Sequence, residues 1–202
     1  LWAPNPDKAV LSLAVDQDAV YAGGEFSEIG GAHRMGVARL IGANGNADPE
    51  WLSPFADDGN TVIGAVALDD TGVYLGGAMN LGGTPCILLK LSKQTGAMDS
   101  QFLPEPYIGG TIWRMAVAGN RLYVCGYFYW IGGELQPYLA CLDATTGAAD
   151  PDWAPEPDDV IFSLDIHNNM LYVSGWFNEI GGVTNAYGLA RLDLATGQAD
   201  PD

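Results

Sequence analysis

Tyr21-Ala22-Gly23-Gly24-Glu25-Phe26-Ser27-Glu28-Ile29-Gly30-Gly31 decides the fold, because the chain writes this stretch four times. Its counterparts begin at Tyr74, Tyr123 and Tyr172, at intervals of 53, 49 and 49 residues. A second motif, Asp-Pro-x-Trp-x-x-Pro or close to it, recurs at Trp51, Phe102 and Trp153, and also at Trp2. A fixed period of this size indicates an array of one supersecondary unit, each covering its apolar face with its neighbours. The expected organisation is a single domain over residues 1–202, with repeat boundaries near 51, 102 and 153.

The fourth repeat reads most clearly. Residues 160–166, Val-Ile-Phe-Ser-Leu-Asp-Ile, are β-branched and apolar and predict a strand. His167-Asn168-Asn169 predicts a turn, residues 170–177 a second strand, and residues 178–185 a longer connection in which Gly181-Gly182 supplies positive φ. Residues 187–194 predict a third strand, Thr196-Gly197 a tight turn, and residues 198–200 a short fourth strand. No apolar stripe runs at helical spacing, and Pro151, Pro155 and Pro157 stop the fourth strand from pairing further. Four short antiparallel strands per ~50 residues match one blade of a β-propeller. A β-sandwich also has many short strands, but it does not copy one turn chemistry four times.

The two ends of the sequence complement each other. Ala199-Asp200-Pro201-Asp202 followed by Leu1-Trp2-Ala3-Pro4 reproduces the pattern of Ala149-Asp150-Pro151-Asp152-Trp153-Ala154-Pro155. The fold expected is therefore an all-β propeller of four four-stranded blades, the termini completing one blade. Half of an eight-bladed ring made by two chains, or a fragment of a longer array, remains the alternative. The chain opens at Leu1-Trp2 inside a repeat, without an initiator Met or a signal peptide, as a processed or excised form would.

Composition narrows the partners. The net charge is −17, from 25 acidic and 8 basic residues, so a phosphate backbone is repelled and nucleic acid is not an expected partner. No apolar run reaches the ~18 residues of a membrane helix. The three cysteines, Cys86, Cys125 and Cys141, form no Cys-x-x-Cys pair. Cys125 and Cys141 fall on adjacent strands, where a bridge is conceivable, but each occurs in one repeat only and reads better as a small buried apolar residue. His33 and His167 stand in different turns, no Asp-x-Asp-x-Asp-Gly loop is present, and no metal or cofactor is expected. The chain has no Gly-x-Ser-x-Gly elbow, Walker loop or Gly-x-Gly-x-x-Gly.

Residues repeated in every unit read as structure. Trp2, Trp51, Phe102 and Trp153 share one position and are expected to be packing anchors between blades. Tyr21, Tyr74, Tyr123 and Tyr172 read as core, and Asp48, Asp99, Asp150 and Asp200 as turn caps. Three pieces of this pattern resemble a known group: Phe177 to Gly182, Ala190 to Gly197 and Asp150 to Pro155. They are similar to the delta-60-type repeats of bacterial secreted and cell-surface β-propellers, a likeness that extends over essentially the whole chain. The resemblance implies a propeller in an extracellular or cell-surface setting, and it carries no catalytic residues. Repeat two departs from it, because Met79-Asn80-Leu81 is one residue short and Ser92 replaces the turn aspartate. Gly42-Ala43-Asn44-Gly45 in repeat one departs as well. The Asp-x-x-Thr-Gly…Trp run is also similar to quinone-dependent dehydrogenase propellers, where it marks a blade turn and not a cofactor site.

In an array, function is expected where copies differ. The position after the second-strand glycine reads Glu25, Ala78, Tyr127 and Trp176, and repeat three continues with Tyr129 and Trp130. Exposed aromatics there are candidates for stacking on a sugar or anchoring a protein. Arg114 replaces the small residues Ser12, Ala65 and Ser163 in the first strand, which lines a propeller's channel, and is a candidate to bind an anion or to pair with a carboxylate. The leading expectation is a non-enzymatic binding or scaffold module for a glycan or protein. A carbohydrate-active enzyme, or a structural building block that self-assembles on a surface, is the alternative.

Overall fold

The computed structural model describes residues 1–56, 59–104 and 109–200, and these contain strands and turns but no helix. Pro201 and Asp202, on which the expected completion of the last blade rests, lie outside them. The chain divides into two compact units, Leu1–Ser100 and Gln101–Asp202, each carrying two repeats.

In the first unit, repeat one contributes β1 (Val10–Asp16), β2 (Ala19–Gly24), β3 (Glu28–Ile29), β4 (Ala32–His33) and β5 (Val37–Ile41). Repeat two contributes β6 (Val62–Leu68), β7 (Gly72–Leu81) and β8 (Thr84–Ser92). In the second unit, repeat three comprises β9 (Thr111–Ala118), β10 (Arg121–Tyr127), β11 (Trp130–Ile131), β12 (Glu134–Leu135) and β13 (Leu139–Asp143). Repeat four comprises β14 (Ile161–His167), β15 (Met170–Gly175), β16 (Glu179–Ile180), β17 (Val183–Thr184) and β18 (Leu189–Asp193). Each repeat is an antiparallel meander: β1-β2-β5, β6-β7-β8, β9-β10-β13 and β14-β15-β18.

The fourth strand of each blade is shorter than the sequence suggests. It consists of one bridge per repeat, Leu40↔Ala47, Leu91↔Met98, Leu142↔Ala149 and Leu192↔Ala199. Asp48 and Asp150 each add one bond to the third strand, and Pro49 and Pro151 then have no N–H to continue the ladder. The turn before this bridge survives its sequence departures. Asp143 and Asp193 accept the following backbone N–H groups in repeats three and four. The Ser92 hydroxyl accepts the same bonds in repeat two, and Gly96 and Gly45 keep positive φ at 77° and 78°.

The expected connection after the second strand is itself a two-residue hairpin in repeats one, three and four. Its first glycine is needed for close approach: a Cβ on Gly181 would lie 2.4 Å from the Ala199 nitrogen, which bonds the Gly181 carbonyl. Repeat two, one residue shorter, has no such break. There β7 and β8 pass through one register shift between Gly76 and Met79 and stay paired out to Leu81↔Thr84, and Gly82 meets nothing within 4 Å.

Blades pack the same way inside each unit. In the first, Tyr21 lies edge-on to Trp51 at 5.9 Å and its hydroxyl donates to the Lys93 carbonyl at 3.3 Å. In the second, Tyr123 lies edge-on to Trp153 at 5.3 Å and donates to the Leu194 carbonyl at 2.7 Å. Around these pairs, Val37, Ile63, Val66 and Leu75 close the first core, and Leu139, Ile161, Leu164 and Val173 the second. The segment carrying each anchor lies on the repeat that follows it. The Pro155 carbonyl accepts from Gly181 and the Asp158 carboxylate from Asn178 and Glu179. The Pro4 carbonyl and Asp7 repeat this on Gly30, Ser27 and Glu28. Those donors, the Ser27 hydroxyl first among them, hold the Asp7 carboxyl down at about 2 against a slight desolvation.

Candidate functional site: an aromatic rim

In all four repeats the first strand slips register at one place, between Val10 and Ser12, Ile63 and Ala65, Ile112 and Arg114, and Ile161 and Ser163. A bulge of this kind re-aims the extra residue. That residue is Leu11, Gly64, Trp113 and Phe162 in turn. In the second unit the two bulged aromatics stack, Trp113 on Phe162 at 5.5 Å and 30°. Trp176 then stands edge-on to Phe162 at 4.9 Å and is 73% exposed. The result is a three-ring ladder at the end of the sheets where β9 and β14 begin.

A second group forms at the same end of β10. Tyr127 and Tyr129 are exposed and lie edge-on at 6.0 Å. Tyr138 completes the group, 6.4 Å from Tyr127 and 5.4 Å from Tyr129, and its hydroxyl donates to that of Tyr129 at 3.0 Å. The hydrogen bond to Tyr129 pushes the Tyr127 phenol up, and Tyr138 does the same to Tyr129, so these two phenols stay neutral near pH 7.

Tyr138 sits in the left-handed region, φ 68°. Its carbonyl accepts from Gly126, as the Gly36 carbonyl accepts from Gly24 and the Gly188 carbonyl from Gly175. Those two glycines occupy the same place with φ 68° and 79°. Repeat three thus forces a ring-bearing residue where its relatives use glycine, at a cost of about 1–2 kcal/mol.

The sequence candidates separate in space. Tyr127 and Tyr129 belong to one cluster and Trp176 to the other. Trp130, on β11, is 49% exposed and has no ring partner among the described residues. Arg114 is exposed on β9 and donates to the Trp113 carbonyl at 2.7 Å, with no carboxylate paired to it among the described residues. Trp51 and Trp153 are fully buried and Phe102 nearly so at 3%, whereas Trp2 is 45% exposed. Tyr138, Trp113 and Phe162 escaped the sequence reading. Aligning Gly36, Tyr138 and Gly188 would have marked the first, and the Leu11, Gly64, Trp113, Phe162 series the other two.

Other chemistry is sparse. The three cysteines are free thiols. Cys125 pairs with Leu139 and Cys141 with Tyr123, so the two are diagonal neighbours, ~7–8 Å apart and beyond the reach of a bridge. Burial pushes Cys125 up to about 12 and Cys141 to about 11, which keeps both protonated. Among the described residues no three His, Cys, Asp or Glu side chains cluster to hold a metal, and no helix is long and apolar enough to cross a membrane.

These features define the class: the chain is a β-propeller of tandem repeats. Residues 120–152 match a family described as "Domain of unknown function (DUF5122) beta-propeller". Comparison with curated proteins gave no match. Among solved structures, the chain resembles the computationally designed Ika4 protein (TM-score 0.58, 14% identity, 94% of this chain and 93% of that one). It also resembles the Pan2 WD40 domain of Neurospora crassa (0.60, 12%, 95% and 50%). A europium-containing methanol dehydrogenase is similar too (0.58, 11%, 98% and 42%). At such identities the likeness carries the fold alone, and activity has to be argued from the site.

Proposed function

We propose that this chain is a non-catalytic binding module that takes a neutral glycan on the aromatic rim of its second unit. The observation that carries this reading is Tyr138. A ring-bearing residue is held at φ 68° where two equivalent positions have glycine, and its ring divides between the second core and the exposed Tyr127 and Tyr129. What it adds is a third phenol beside Tyr127 and Tyr129.

The chemistry suits a sugar. Exposed ring faces stack on the C–H face of a pyranose, and phenol hydroxyls bond its equatorial hydroxyls. The Trp113–Phe162–Trp176 ladder offers a second apolar platform at the same end of the sheets. A net charge of −17 disfavours anionic polymers and leaves neutral ones. The resemblance to secreted and cell-surface propellers supports a place outside the cell, where such glycans occur.

The test is a neutral oligosaccharide array followed by calorimetry. Binding is expected, with at least a tenfold loss in Trp176→Ala and in Tyr129→Ala and little change in Trp130→Ala. Absence of binding across the array, or equal affinity in all three variants, refutes the reading.

A further inference from the structure

One position beside the rim carries a different residue in every repeat. Asp159 stands two residues before Ile161, where the first three repeats have Lys8, Thr61 and Gly110 ahead of Val10, Ile63 and Ile112. The repeat holds this position against the rim residue of its own blade. A Cβ on Gly110 would lie 2.3 Å from the Tyr127 carbonyl oxygen. In repeat four the Trp176 N–H donates at 3.0 Å to the carbonyl of Val160, the residue after Asp159.

The same position also meets the repeat before it. A Cβ on Gly36, which has the place of Tyr138, would lie 3.0 Å from Thr61 Cγ2, and the matching pair in the second unit is Tyr138 and Asp159. The Tyr129 phenol, pushed up first by its hydrogen bond with Tyr138, is pushed further by the negative charge of Asp159. Asp159 therefore stands where the tyrosine group and the Trp113–Phe162–Trp176 ladder meet. Its half-buried carboxylate is fixed at one oxygen and open at the other. Oδ1 accepts from the Val160 N–H at 2.7 Å, and Oδ2 has no partner among the described residues.

We propose that Asp159 is the specificity-determining acceptor of this rim, and that the glycan must present two adjacent, unsubstituted hydroxyls to it. The proposal rests on the glycan reading above and narrows it. A carboxylate accepts and cannot donate, so the ligand must supply the hydrogens. Gauche hydroxyls on neighbouring ring carbons donate together to one carboxylate, and bonds of this charge-assisted kind are stronger than those between neutral groups. The aromatic rings on either side then take the C–H faces of the same sugar or of its neighbours. An ether or ester at either hydroxyl would leave the carboxylate desolvated beneath the ligand without its partner. A uronate or sulfate there would meet a like charge.

The experiment is calorimetry with the tightest-binding neutral oligosaccharide of the array and with its mono-O-methyl ethers, on the wild type, Asp159→Asn and Asp159→Ala. Asparagine keeps an oxygen for the Val160 N–H, and thermal melting checks the fold. Asp159→Asn is expected to weaken binding about tenfold or more, and Asp159→Ala at least as much. Methylation of either adjacent hydroxyl is expected to cost the wild type about tenfold and Asp159→Ala under about threefold, because the partner is already gone. A sugar that loses affinity in Trp176→Ala and Tyr129→Ala but not in Asp159→Asn overturns this proposal and leaves the glycan reading standing. Methyl ethers that weaken the wild type and Asp159→Ala equally do the same. Absence of binding across the array overturns both.

Discussion

Replacing Tyr138 by alanine and by glycine separates strain from function. Both changes remove two ring contacts, at 6.4 and 5.4 Å, and a 3.0 Å hydroxyl bond. On a half-buried ring, contacts of this kind are worth about 1–2 kcal/mol together. The backbone stays at φ 68° in Tyr138→Ala, so its strain persists. In Tyr138→Gly that strain of about 1–2 kcal/mol vanishes, offset in part by about 0.4–1 kcal/mol of extra freedom in the unfolded chain. The glycine variant should therefore be more stable than the alanine variant by about 1 kcal/mol, and both should fall below the wild type, because the ring also packs against the second core. With a urea slope of about 2 kcal/mol/M, their midpoints differ by about 0.5 M. Tryptophan fluorescence in a urea titration reads this, and calorimetry with the bound oligosaccharide should show affinity lost in both. An alanine variant as stable as the glycine variant would refute the claim that repeat three carries strain at this position.

Trp153→Ala, which empties a fully buried site against Tyr123, should cost about 3–5 kcal/mol in urea unfolding. Trp2→Ala, at 45% exposure, should cost under about 1 kcal/mol when measured in dilute solution. Gly181→Ala puts a Cβ 2.4 Å from the Ala199 nitrogen and should destabilise by at least about 2 kcal/mol more than Gly82→Ala, which has comparable φ but open space; calorimetric melting tests the order. Desolvation raises the Asp69 carboxyl, but Lys90, Tyr74 and the Thr71 and Gly72 N–H groups outweigh it and hold it well below the ordinary range. Its folded pKa is depressed, so its contribution is complete above about pH 4 and drains away as pH falls towards the folded value. Melting temperature against pH should accordingly fall less steeply below pH 4 in Asp69→Asn than in the wild type.

Period and turn chemistry made the blades legible, since the Asp-x-x-Thr-Gly turn and the Gly-Gly hairpin are local devices that each repeat spells out. The length of the fourth strand was not, because whether Ala47 to Asp48 forms one bridge or a ladder depends on the proline that follows and on the hairpin glycine bonded to Ala47. Of the site, Tyr127, Tyr129 and Trp176 were visible as departures from the repeat. Tyr138 was hidden because its meaning lies in a φ angle. Trp113 and Phe162 were hidden because apolar residues in a strand read as core until a register slip re-aims them into a half-buried stack. Trp130 follows Tyr129 in sequence, is exposed on β11 and makes no ring contact with the tyrosines among the described residues.

Departures from the repeat fall into two kinds, and only one marks function. In repeat three the third-strand position of Arg39 and Arg191 is Cys141, which cannot pair with the turn aspartate Asp150. Arg121 on the neighbouring strand does so instead, at 3.0 Å, while also donating to the Leu194 carbonyl. In repeat two Lys90 holds that position and pairs with Asp69, and Gly72 leaves the space its stem needs, since a Cβ there would lie 2.1 Å from Lys90 Cε. Each of these changes is answered by a second one that restores packing or charge, as selection for stability alone would require. Tyr138 is answered only in part, by packing against the second core. Its strain is not relieved, its ring is only half covered, and its neighbours Tyr127 and Tyr129 add exposed aromatic surface instead of burying it. A cost only partly offset, placed on a rim beside the stacked Trp113 and Phe162, is what a surface shaped to hold something else carries.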